Sequence, residues 1–290
     1  MQLLYARVHY SFWDKMNKLP TKILVDLEKY AEKSILEGIQ KQPASYHVSG
    51  KIIENIGTKT VLDFFKENKK TKVLDSRIPK TKTEWPDLTL KMDWSQGSLK
   101  TFFEIKAADS SGEPANDLGT LRSLWKKHIL DDLGLSNLDN LFMVFVKYSK
   151  KDGQITDVDK VYVAHYFKFI GTRKVGSVEI LKYRKKDGNT RPKTWEEIEN
   201  IKVKHLTKEE LKSFVKRYYL ASVFRSIDIM KEHREILSSL SNPKVVLRKE
   251  FRLNKIGLDI EKINAEIKPK IDILMKKVEK KQSKIREFSS

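Results

Sequence analysis

The chain of 290 residues contains no cysteine. That absence excludes thiol nucleophiles, disulfide frameworks, iron–sulfur clusters and cysteine-based zinc sites together, and fits a reducing compartment. The six histidines, His9, His47, His128, His165, His205 and His233, fall into no H-x-x-x-H or H-N-H arrangement, so neither a zinc hydrolase nor an HNH-type enzyme has support. A glycine-rich phosphate loop and a G-x-G-x-x-G run are both missing, which argues against a nucleotide-driven motor and a dinucleotide enzyme. No stretch of about 18 apolar residues occurs, and the start MQLLYARVHYSFWDKMNK has no basic segment leading into an apolar run. A soluble, cytoplasmic protein with no membrane partner is expected. Acidic residues are also in short supply: 39 Asp and Glu stand against 58 Lys and Arg, a net charge of +19. An excess of that size predicts an anionic partner, nucleic acid before any other. What the chain does have is core material, with 39% hydrophobic residues including five Trp and thirteen Phe. That is enough for a core without covalent staples.

The texture changes twice along the sequence. Over roughly residues 15–70, Leu24, Leu27, Tyr30, Ala31, Ile35 and Ile39 recur at helical spacing, and a second such run after Pro43 carries Ile52, Ile53, Ile56, Val61, Leu62 and Phe65. Between about 71 and 185 the pattern becomes strand-like: WPDLTLKMDW alternates, while SLKTFFEIKAA, NLFMVFVKYS and KVYVAHYFKFIG are dense apolar runs. A helical spacing of Leu121, Leu124, Trp125 and Ile129 interrupts them. Strands alternating with helix predict an α/β (α+β) fold, a mixed central sheet flanked by helices. After about residue 195 the pattern is helical again, with Thr207 and Glu210 spaced as a capping box, a helix expected to reach about Leu240, and a last amphipathic stretch of Ile263, Ile267, Ile271, Leu274 and Val278. The expected division is a catalytic region over residues 1–205 and a helical extension over 206–290, serving DNA binding or dimerisation.

The informative segment runs from Trp85-Pro86-Asp87 to Glu104-Ile105-Lys106. Side chains alternate on a strand, so Glu104 and Lys106 point one way while Phe103, Ile105 and Ala107 point the other, into a core. Ser95-Gln96-Gly97-Ser98 is a turn that folds the segment into an antiparallel hairpin and brings Asp87 beside Glu104. Two carboxylates offer the oxygen ligands that Mg²⁺ prefers. A metal there suits hydrolysis of a phosphodiester, with Lys106 at the attacking water and its protonated form disfavoured by a neighbouring dication and a basic surface.

This pattern, PD followed at hairpin distance by E-x-K, resembles the PD-(D/E)xK nucleases, and the helix–hairpin–helix–strand order is similar to type II restriction endonucleases. The likeness is firm over about residues 50–150 and fades toward both ends. It implies a restriction-endonuclease-like core in which Asp87 and Glu104 bind Mg²⁺ (or Mn²⁺), joined by the backbone carbonyl of Ile105, and Glu54 on the upstream helix gives a second metal contact or structural support. It further implies cleavage of double-stranded DNA at a specific site leaving 5′-phosphates, a homodimer matched to a palindrome, and a cognate DNA methyltransferase as counterpart.

Two segments are candidates for DNA contact. The turn-rich stretch after the motif offers Asn116, Thr120, Arg122 and Ser123 as backbone or base contacts; the plainer reading is a loop capped by Asp117. A basic hairpin tip offers Arg184, Lys185, Lys186, Asn189 and Arg191 around the turn dipeptide Asp187-Gly188, with a solvated lysine-rich loop as the alternative. For the central motif the alternatives are another PD-(D/E)xK nuclease (modification-dependent, repair or junction-resolving), or a non-catalytic DNA-binding protein in which Glu104 and Lys106 are a salt bridge on a solvated sheet face.

Overall fold

The computed structural model describes residues 18–43, 50–79, 85–94, 97–120, 140–232, 259, 261–269, 272–273 and 276. They fall into two units: the part up to residue 171 joined by 190–206, and residues 172–189 joined by the part from 207 onward.

The first unit opens with two amphipathic helices, α1 (Thr21–Gln40) and α2 (Gly50–Glu67). The helical spacing read in the sequence is the buried stripe: Leu24, Leu27, Ala31, Ile35 and Ile39 on α1, Ile53, Val61 and Phe65 on α2. They cover one face of a five-stranded sheet made of β1 (Thr71–Arg77), β2 (Leu88–Trp94), β3 (Gly97–Asp109), β4 (Leu141–Lys151) and β5 (Gln154–His165), in the order β1-β2-β3-β4-β5. Every pairing is antiparallel except β3 with β4, which is parallel. The sheet is therefore mixed, and the fold is the α/β arrangement expected. A parallel step needs a crossover; residues 121–139 of the β3–β4 connection, and with them the helix expected around Leu121–Ile129, lie outside the described residues.

The helix-covered face carries Leu88, Leu90 and Met92 of β2, Phe103, Ile105 and Ala107 of β3, and Phe142, Val144 and Val146 of β4, all in one hydrophobic core with α1 and α2. On the opposite face, Phe145 packs against Phe169 and Trp195, with ring centroids 5.7 and 5.5 Å apart. Burying each such side chain contributes about 1.5–3 kcal/mol, which fixes the register of β3 and β4 against slippage. The edge strand β5 is closed by α1. Glu28 accepts from the backbone N–H of Val163 at 2.6 Å and Glu32 from that of Val161 at 3.3 Å, while Lys204 and Lys160 neutralise the two carboxylates. Such capping blocks strand addition at that edge.

A 3₁₀ turn (Tyr166–Phe169) and a short helix α3 (Trp195–Glu199), started by a capping box of Thr194 and Glu197, complete this unit. In the second unit, β6 (Thr172–Val175) and β7 (Val178–Leu181) form a hairpin turned at Gly176, whose φ of 60° suits glycine. This hairpin groups with the C-terminal part; β7 buries Ile180 and Leu181 and packs with α4 (Lys208–Glu232). The capping box at the start of α4 is present: Glu210 N–H donates to the Thr207 hydroxyl at 3.1 Å and Thr207 N–H to the Glu210 carboxylate at 2.8 Å. Beyond Glu232 the expected continuation to Leu240 lies outside the described residues; Ile263 and Ile267 are buried on a helical segment over 261–269. No described helix is long and apolar enough to cross a membrane.

Candidate active site

The β2–β3 register aligns Leu88 with Phe103, so Asp87, one residue before β2, falls beside Glu104 as the hairpin reading requires. The carboxylate of Asp87 accepts a 2.8 Å hydrogen bond from the backbone N–H of Ile105. It thus takes the place of the ladder partner that β2 stops supplying. Glu104 and Lys106 share a face, with Nζ of Lys106 2.7 Å from Glu104 and 3.8 Å from Asp87. The same ammonium also donates to the carbonyl of Ile105 at 3.2 Å. Three side chains and one carbonyl from two strands converge at the open end of the hairpin.

This is not a solvated salt bridge. The Glu104 and Lys106 side chains are only 10% and 16% exposed, and Oε2 of Glu104 is buried with no hydrogen-bond partner. Burial pushes the Glu104 carboxyl up to about 7; Asp87 pushes the same way, and Lys106 only partly offsets the two. Lys106 is shifted upward. Burial alone would disfavour its charge, but Glu104, then Asp87 and Glu54, outweigh that and hold it as an ammonium above the usual lysine range. The acidic neighbours, not the surrounding basic surface, set its protonation.

Glu54 reaches this neighbourhood because α2 comes very close to β3. A Cβ built on Gly57 would stand 2.9 Å from a methyl of Ile105, so only glycine permits the approach. One turn earlier, Glu54 is bound to Lys51 at 2.7 Å and adds to the negative field on Lys106 and on Tyr148. Among the described residues no group of three or more His, Asp or Glu side chains could hold a metal ion. The donor set at the hairpin is two carboxylates with the Ile105 carbonyl, and the partnerless buried oxygen of Glu104 together with hard oxygen donors fits Mg²⁺ or Mn²⁺.

The side chain of Tyr166 is fully buried. It also faces the site. Its hydroxyl donates to the carbonyl of Leu118 at 2.6 Å, Trp85 meets its ring edge-on at 6.3 Å, and burial with the fields of Glu104 and Asp87 holds the phenol well above its ordinary pKa. No sequence signal marks it, since the groups around it come from the segment before β2, from β3 and from the loop after β3.

The candidate DNA contacts fare differently. Asn116 donates its amide to the carbonyl of Ala107 at 2.8 Å and so holds the loop to β3. Thr120 is half-buried, in an isolated strand-like bridge at the loop's end. Arg191 pairs with Asp117, while Arg122 and Ser123 lie outside the described residues. Arg184 and Asn189 close a tight turn through two backbone bonds of 2.8 Å (Arg184 N–H to Asn189 C=O, Gly188 N–H to Arg184 C=O), and the Arg184 guanidinium grips Asp187. Lys185 and Lys186 are exposed on that turn. The structure brings Asp87, Glu104, Ile105 and Lys106 together; Arg184, Lys185, Lys186 and Asn189 form a separate set in the second unit.

The chain matches no protein-family model, and no curated protein is significantly similar to it in sequence.

Proposed function

We propose that the protein is a metal-dependent nuclease of the PD-(D/E)xK type, acting in the cytoplasm as a type II restriction endonuclease that hydrolyses double-stranded DNA at a specific site and leaves 5′-phosphates. One observation carries the reading: Asp87, Glu104 and Lys106 meet at the end of an antiparallel hairpin around a buried carboxylate oxygen without a partner. A structural ion pair has no need to leave that oxygen unbonded, because leaving a buried acceptor unsatisfied costs about 1–3 kcal/mol. A divalent cation bonded to it removes that cost.

Asp87, Glu104 and the Ile105 carbonyl would hold the cation, and Mg²⁺ bound there supplies Lewis acidity toward a phosphate oxygen. Lys106, held as an ammonium, offers protons for hydrogen bonds to the scissile phosphate and to the water that attacks it. Glu54 steadies Lys106 through its field. A homodimer would place one such site on each strand of a palindromic sequence, and a cognate methyltransferase would protect the host's own sites.

The test is plasmid DNA incubated with the purified protein and Mg²⁺. Discrete fragments are expected, and Asp87→Ala should lose cleavage by at least about a thousandfold while binding DNA with little change. Cutting confined to junctions or modified DNA would redirect the assignment within the same nuclease class. An intact plasmid with a gel shift would make the protein a non-catalytic DNA binder, and Mg²⁺-dependent cutting that survives in Asp87→Ala would remove these residues from the mechanism.

A further inference from the structure

The sheet face that carries the acid pair continues down the hairpin, and its charge changes sign. Side chains two apart share a face, so Thr89 and Lys91 of β2 follow Asp87, which lies just before that strand, while Glu104, Phe102 and Lys100 follow one another on β3. The register sets Thr89 opposite Phe102 and Lys91 directly opposite Lys100. The other face of β2 is sealed, with Leu88, Leu90 and Met92 fully buried under the helices, whereas Lys91 and Lys100 are exposed.

Two lysines directly opposite each other in an antiparallel pair repel, an unfavourable placement for the fold. Asp75 of β1 is aligned with Lys91 on its other side and offsets part of the repulsion. Neither ammonium forms an ion pair or a hydrogen bond among the described residues, and the recorded contact of Lys100 is its Nζ lying 5.3 Å from the Phe102 ring centre. The pair lies four residues from Asp87 and Glu104, about 14 Å along the strand. That distance is the axial length of about four base pairs of duplex.

We propose that Lys91 and Lys100 form a phosphate-binding pair for the DNA backbone leading away from the scissile phosphate. This rests on the nuclease reading above and adds to it the surface along which the duplex lies. The acid pair repels phosphates on its own, so a cationic pair a few base pairs away on the same face anchors the duplex and sets the distance between anchor and cut. The contact reads no bases, because lysine ammoniums at this spacing neutralise phosphates without regard to sequence.

The test measures binding of the full chain to a fluorescent duplex of about 30 base pairs in Mg²⁺-free buffer, from about 50 to 200 mM salt. Lys91→Ala/Lys100→Ala should lower the slope of log affinity against log salt by about 1.8 and weaken binding on the order of tenfold. Lys22→Ala/Lys33→Ala, two exposed lysines on α1, makes the same change in net charge and should leave the slope unaltered. If the alanine pair melts early, Lys91→Gln/Lys100→Gln serves in its place. A wild-type protein that binds and cuts DNA while the hairpin variant keeps its slope would overturn the proposal and leave the nuclease reading standing. Equal losses in both double variants would overturn it too, by tracing the effect to the general field. A wild-type protein that neither binds nor cuts DNA would take down the nuclease reading itself.

Discussion

The base of the β2–β3 hairpin and the turn after β7 are two clusters of opposite charge that look alike in sequence and differ in kind. At the turn, Asp187 is gripped by Arg184 and accepts from the backbone N–H of Asn189, in open solvent, and those bonds hold its carboxyl below the usual range. At the hairpin, Glu104 is bonded to Lys106 just as directly, yet burial pushes its carboxyl up to about 7. Both are carboxylates paired with a cation; the shift has the opposite sign because one carboxylate keeps its water and the other has lost it. Charge count does not separate a site from a decorated turn. Desolvation does, and a buried carboxylate with one oxygen unbonded can take on an incoming cation.

Removing the cation from each pair should widen this difference most. Lys106→Ala leaves Glu104 and Asp87 facing each other inside the fold, and breaking a buried pair in this way costs about 3–5 kcal/mol. Urea unfolding at pH 8 should show a loss near the lower end, because Asp87 keeps some solvent contact. At pH 5.5 the loss should shrink, since Glu104 can then take up a proton and no longer needs a partner. A penalty of equal size at both pH values would mean that Lys106 supports the fold by packing and not by charge.

The same carboxyl gives the intact protein a pH dependence of slightly smaller size. Folded, Glu104 holds its proton up to about 7, against an ordinary 4.5 for the unfolded chain. Between those values the folded state carries the extra proton, so the stability from this group is complete below about pH 4.5 and is lost as the pH rises through 7. The full loss is about 3 kcal/mol. Wild-type unfolding free energy should therefore fall over that window while Glu104→Gln stays flatter, and millimolar Mg²⁺ should restore part of the loss above pH 7. Superimposable curves for the two proteins would show that Glu104 is ionised throughout.

The elements that place this site were legible because each announces itself locally. Alternation in LTLKMDW and the apolar run around Glu104 and Lys106 mark the two strands, and the position of Asp87 opposite Glu104 follows from counting along them. The α1 and α2 stripes and the Thr207–Glu210 box are equally local. What escaped depends on the third dimension. The close approach at Gly57, which brings Glu54 toward Lys106, is one unremarkable glycine in a helical run. Tyr166 joins the site only once β5 has paired with β4 and its turn has folded back over Leu118. The upward shift of Lys106 likewise depends on two carboxylates within 4 Å, which net charge does not report. The grouping of residues 172–189 with the C-terminal unit depends on what β7 packs against and not on local pattern.

The smallest effect should come from the turn. Arg184→Ala removes a guanidinium that satisfies Asp187 in solvent, and water replaces those bonds at once, as for most exposed ion pairs. The turn itself is held by backbone bonds between Arg184, Gly188 and Asn189 and by the glycine φ of 75° at Gly188, none of which needs the arginine side chain. Melting temperature should be unchanged within error. Plasmid cleavage by the variant should match wild type if this turn is a solvated loop, so that the Lys106 and Arg184 substitutions lie at opposite ends of one scale. A marked drop in cleavage with unchanged melting would instead make Arg184 a DNA contact, released from Asp187 when phosphate or a base edge arrives, and would move the turn from the decorated class to the functional one.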